Sequence, residues 1–142
     1  MGRRTLSDEA RRLLALFEDR TGATARDCVI DEERDRVLVV VAPGEMGRAI
    51  GPGGEHVRAV EEAIGRDVKL VEDADTPAAF VASTLAPAAV ANVTISENDD
   101  TVAYAEVPQA DTGVAIGADG ENIAAARLLA KRHFEIDDVE LV

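Results

Sequence analysis

The residues whose spacing could do chemistry are glycines. Gly51-Pro52-Gly53-Gly54 and Gly117-Ala118-Asp119-Gly120 each follow an Ala-Ile pair and each precede a glutamate. Glycine has no Cβ, so its main chain can come close to another chain. Where such a run leads into a helix, the unpaired N–H groups and the helix dipole favour anionic oxygens. The chemistry expected is therefore anion cradling by backbone. Arg48 and Arg58 flank the first run as candidate phosphate contacts, with His56 nearby. Near the second run the cations Arg127, Lys131 and Arg132 stand farther along the chain. Pro52 has no N–H to donate, and Asp119 brings a repelling charge. The first run is expected to bind more strongly and the second more weakly.

These runs are two copies of one unit. A shift of 66 residues aligns residues 47–57 with 113–123, and six of the eleven pairs are identical. Average residue usage predicts about one match by chance. The same shift pairs Val29 with Ile95, Val41 with Val107 and Ile64 with Ala130. A repeat of this length implies one structural unit used twice. The expected domains are residues 1–75 and 76–142.

The elements that must position the glycines follow from periodicity and end signals. Residues 7–20 read as a helix capped by Ser7, with Leu13, Leu14, Leu16 and Phe17 on its apolar face. Strands are expected at 27–30 and 36–41, joined by an acidic, solvated turn through Asp31, Glu32 and Glu33. A short helix from Pro43 to Ile50, the glycine run, a helix over 55–64 ended by Gly65, and a strand over 67–71 complete the first copy. The second copy repeats this order. Its helix begins at Thr76-Pro77, its strands lie at 90–96 and 101–107, and a short helix spans 109–116. A long helix ending near His133 and a last strand at 134–141 follow. The strand after each long helix can join the hairpin, giving a three-stranded sheet covered by helices. The predicted fold class is α+β in two tandem copies.

Composition narrows the function classes. The net charge is -13, from 28 acids against 15 lysines and arginines, and only two of those are lysines. Such surfaces resemble those of salt-loving cytoplasms, where the Debye length falls to about 3 Å and overall charge barely repels an anionic partner. Cys28 is the sole cysteine, reads as buried filler, and fits a reducing compartment. No run of 18 apolar residues suggests a membrane span. One cysteine and two histidines supply no triad or zinc set, and the glycine runs lack the context of a dinucleotide or P-loop site. No enzymatic activity, cofactor, metal or small-molecule substrate is expected, and His56 and His133 read as surface or packing residues.

A helix, Ile-Gly-x-x-Gly and a second helix resemble the KH domain, with the strand order of its type II form. Two such domains back to back resemble the archaeal NusA-like transcription factors, over residues 7–142. The resemblance implies that Ile50, Gly51, Pro52, Gly53 and Gly54, and Gly117, Ala118, Asp119 and Gly120, clamp about four nucleotides of single-stranded RNA each. It implies base contacts near Ile50, Val57, Ile116 and Ile123. The implied partners are nascent RNA and RNA polymerase, and the implied role is termination or antitermination of transcription in the cytoplasm. The alternatives are a KH-shaped adaptor on the polymerase or ribosome with little RNA affinity, and an RNA binder of ribosome biogenesis.

Overall fold

The computed structural model of the chain describes residues 5–142. They form two compact units, Thr5–Asp73 and Ala74–Val142. The first unit runs α1 (Asp8–Thr21), β1 (Ala25–Asp31), β2 (Arg36–Val41), α2 (Met46–Ile50), α3 (Glu55–Ile64) and β3 (Asp67–Glu72). The second runs α4 (Pro77–Thr84), β4 (Asn92–Glu97), β5 (Thr101–Glu106), α5 (Thr112–Ile116), α6 (Glu121–Phe134) and β6 (Asp138–Leu141). Each unit has one three-stranded sheet, in the orders β1-β2-β3 and β4-β5-β6. The first two strands of each sheet are antiparallel, and the third lies parallel to the central one. A parallel pair needs a crossover connection. Here the crossover is the short helix, glycine run and long helix, so the sheet fixes both ends of the segment that carries the site.

Local signals set the ends of the elements. Ser7 caps α1 by accepting from the Ala10 N–H at 3.1 Å, and Thr76 caps α4 by accepting from Ala79 at 3.2 Å. Gly22 and Gly65 close α1 and α3 in the left-handed conformation. The first core gathers Ala10 and Phe17 of α1, Val37, Val39 and Val41 of β2, Ala49 of α2 and Val60 of α3. Alternation along β2 turns those valines to the helices, and Leu38 and Val40 are buried as well. In the second core Val81 and Leu85 meet Ala103, Ala105, Ala115, Ala126 and Ile136. Cys28 is buried, and the His133 ring stacks on Phe80 at 4.8 Å between centroids.

Three local expectations are corrected. The short helix begins at Met46 and not at Pro43, because Gly44 takes φ +81° and the Glu45 N–H closes a turn on the Ala42 carbonyl. The last strand begins at Asp138, because α6 continues through Phe134 and closes at Glu135 with φ +55°. The ungapped repeat therefore breaks after α6. Asp67 pairs with Arg36, while Asp138 pairs with Val102, so the first strand residues stand 71 apart where the central ones stand 66 apart. The extra turn is held by Asp137, whose carboxylate takes Lys131 Nζ at 2.6 Å and the Thr101 N–H at 2.8 Å. These bonds hold the Asp137 carboxyl below the ordinary carboxylate range, the Lys131 bond contributing most.

Asp31 is the third correction. It is not a solvated turn residue: it is buried and accepts from Arg36 Nε at 2.9 Å. Removing one partner of a buried pair strands the other charge. Asp31→Ala should cost about 3 kcal/mol in urea unfolding. The double change Asp31→Leu with Arg36→Met should cost clearly less. A single-variant cost below about 1 kcal/mol would show the pair to be unimportant.

Candidate nucleic-acid interface

Both glycine runs take one main-chain path. Gly51 has φ 75° and ψ 169°, and Gly117 has φ 80° and ψ 167°. The third position of each run is left-handed, at φ 59° for Gly53 and φ 55° for Asp119. The fourth position, Gly54 or Gly120, is left-handed again and begins the long helix. In each loop the fourth N–H donates to the first carbonyl at 3.0 Å. A single-turn 3-10 segment thus sits at the tip, and Pro52, Gly53, Ala118 and Asp119 are all exposed there. The loops stand open to a partner chain and are not folded into either core.

The first glycine of each loop is fixed by contact as well as by φ. A methyl placed on Gly51 would sit 2.4 Å from Cγ of His56. One placed on Gly117 would sit 2.8 Å from the backbone nitrogen of Asn122. Positions 53 and 120 open onto space. The helix that follows therefore lies against the start of each loop, and only the tip is left for a ligand.

The side chains around the two loops differ. Arg58 lies beside the first loop, with Nη1 3.0 Å from where a Cβ on Gly54 would be. Arg48 is exposed and reaches back to α1, 3.4 Å from the Gly22 carbonyl and 3.8 Å from Glu45. The structure thus places Arg58 at the loop, and Arg48 on its α1 side. The repeat puts Val114 where Arg48 stands and Ala124 where Arg58 stands, with Asp119 in the place of Gly53. The cation-bearing loop is the first one. Ile50 and Ile116 hold equivalent places before the loops and are 39% and 40% exposed, and Val114 is 47% exposed. Ala49 and Ala115, one residue earlier, are fully buried and pin the short helices to their cores. Val57 is half-buried and Ile123 is buried, so of the four apolar residues expected near the bases Ile50 and Ile116 are the exposed ones.

Sequence reasoning missed two residues. His56 Nδ1 donates to the Arg48 carbonyl at 2.7 Å. Asn122, its counterpart in the repeat, donates through Nδ2 to the Val114 carbonyl at 3.3 Å and to the Leu85 carbonyl at 3.0 Å. The available signal was their shared position two residues after the last loop glycine.

A cleft of about 280 Å³ is lined by Asp35, Glu61, Glu62, Gly65, Arg66 and Asp67, at the end of α3 away from the loop. Its arginine already lies 3.6 Å from both Glu9 and Asp35. Among the described residues no cluster of histidine, cysteine or carboxylates could hold a metal ion. No described helix is long and apolar enough to cross a membrane.

Comparison with known proteins agrees with this geometry. Residues 12–76 match the KH domain, and residues 77–142 match the NusA-like second KH domain. The chain is 63% identical over 136 residues to a probable transcription termination protein NusA of Halobacterium salinarum, covering 96% of each chain. It is 29% identical to the protein of that name from Methanocaldococcus jannaschii, covering all of this chain and 77% of that one. The crystal structure of APE1850 superposes with a TM-score of 0.86 at 30% identity, over 96% of this chain and all of that one. The chain belongs to the archaeal NusA-like family of tandem KH-domain proteins.

Proposed function

We propose that the chain binds single-stranded nascent RNA and acts in termination or antitermination of transcription, beside RNA polymerase in the cytoplasm. It works by binding and not by catalysis. The carrying observation is the pair of exposed glycine loops with one main-chain path, each opening a helix, in a chain whose relatives are named for transcription termination. The first loop is the principal clamp. Its exposed backbone meets the sugar-phosphate chain, Arg58 and Arg48 neutralise phosphates, and Ile50 offers an apolar contact to a base.

Salt dependence tests this reading. Each phosphate contact on a single strand contributes about -0.7 to the slope of log affinity against log salt. Arg58→Gln should reduce the slope by about 0.7, and adding Arg48→Gln should reduce it by about the same again. Unchanged slopes in a filter-binding titration with short RNA would remove both arginines from the interface.

A second reading has its own observation. The second loop has lost both cations, gained Asp119 and exposes Val114. A KH-shaped adaptor that docks on the transcription machinery through protein would look like this. Co-purification with RNA polymerase that survives nuclease, together with no affinity for RNA, would favour it.

A further inference from the structure

The last carbonyls of a helix have no partner within it and must find one elsewhere. A five-residue helix such as α2 is too short to hold itself together by its own hydrogen bonds. The Arg48 carbonyl lies in the last turns of α2, and the His56 ring, in the first turn of α3, closes on it at 2.7 Å. The ring lies against Gly51, filling the space a Cβ would take. The bond crosses the loop and joins the helix before it to the helix after it. The second unit makes the same crossing with a different side chain, from Asn122 to the Val114 carbonyl. Two side chains of different chemistry thus make one bond at one place, each from a residue whose atoms crowd the first glycine of its loop. We infer that His56 is the positioning residue of the first clamp.

This inference rests on the reading of that loop as an RNA clamp. His56 holds α2 and α3 at the separation that keeps the Gly53 tip exposed. Because the carbonyl accepts, Nδ1 carries the proton, and the neutral ring is the Nδ1–H tautomer. Loosening the crossing makes the loop sample other paths, so part of the binding energy goes into reordering it.

The test uses the full chain, short single-stranded RNA, and the variants His56→Ala, His56→Asn and Gly53→Asp. His56→Ala should weaken RNA binding about fivefold. His56→Asn should recover most of that loss, because asparagine spans the same gap in the second unit. A general loss of packing would show as equal weakening in both variants, and that result would overturn the inference. So would His56→Ala binding within about twofold of the parent while Gly53→Asp weakens binding about tenfold or more. If Gly53→Asp itself leaves affinity unchanged, the clamp reading fails and takes this inference with it. Nitrogen-15 spectra of the unaltered protein should show the neutral His56 ring protonated at Nδ1. A proton at Nε2 would overturn the crossing independently of any variant.

Discussion

Gly53→Asp should weaken RNA binding between about tenfold and a hundredfold at moderate salt while leaving the first unit folded. The second unit shows why the fold tolerates it. Asp119 occupies the equivalent place at φ 55° and ψ 25°, against φ 59° and ψ 18° for Gly53. Aspartate and asparagine enter the left-handed region more readily than other side chains. The position also opens onto space. What changes is charge at the exposed tip. A carboxylate about 5 Å from a phosphate costs roughly 3 kcal/mol at an effective dielectric of 20, and less when salt screens the pair. Gly53→Asn is the matched control, equal in size and backbone preference but neutral, and should bind within a few-fold of the parent. Anisotropy titrations of a labelled RNA at two salt concentrations would measure all three. Equal affinities for the aspartate and asparagine variants would mean that no phosphate comes near the tip. The reciprocal Asp119→Gly should strengthen whatever RNA contact the second loop makes.

The sequence carried the architecture because its signals were redundant. Ser7 and Thr76-Pro77 mark helix starts, Gly65 marks a helix end, and β2 spans the residues 36–41 expected of it. The duplicated Ile-Gly-x-x-Gly then set the two units in register. Detail failed where a residue's partner is distant or where backbone conformation decides. Asp31 reads as one of three acids in a turn, and only the hairpin register, which pairs it with Arg36, shows it buried in an ion pair. Pro43 is a good first helix residue, yet Gly44 turns the chain before the helix can start. His56 reads as a surface residue because its role depends on a carbonyl eight residues earlier, brought close by the loop itself. The place of the two glycine loops between their helices was legible, whereas the bond across the first one was a property of the folded path. The asymmetry between the loops was legible too. Arg48 and Arg58 against Val114 and Ala124 is a comparison that the 66-residue shift makes directly.

The largest stability effect is expected at the first glycine of the second loop. Gly117 has φ 80° and ψ 167°, a region that side-chain-bearing residues scarcely enter, and occupying it costs about 1–3 kcal/mol. A methyl there would also stand 2.8 Å from the Asn122 backbone nitrogen and 2.9 Å from its Cβ. Backbone at the start of a helix packed through Asn122 and Ile123 cannot turn aside, so α6 must shift, adding about 1–3 kcal/mol. The shift also strains the Asn122 bonds to Leu85 and Val114. Together these terms reach about 2–6 kcal/mol, against about 3–10 kcal/mol for the whole stability of a unit this small. Gly117→Ala should therefore unfold the second unit in much of the population, seen as lost dispersion of its amide signals. Gly51→Ala meets the same backbone cost, but its close contact is the His56 ring, which can rotate away. It should lose less stability and surrender the crossing to Arg48 instead. Gly113→Ala is the control. Gly113 lies inside α5 with nothing within 4 Å of a new methyl, so alanine there should stabilise by up to about 1 kcal/mol. If Gly117→Ala and Gly113→Ala unfold at the same urea concentration, the loop's main-chain path is not the one described. The open tip that the clamp requires would then go with it.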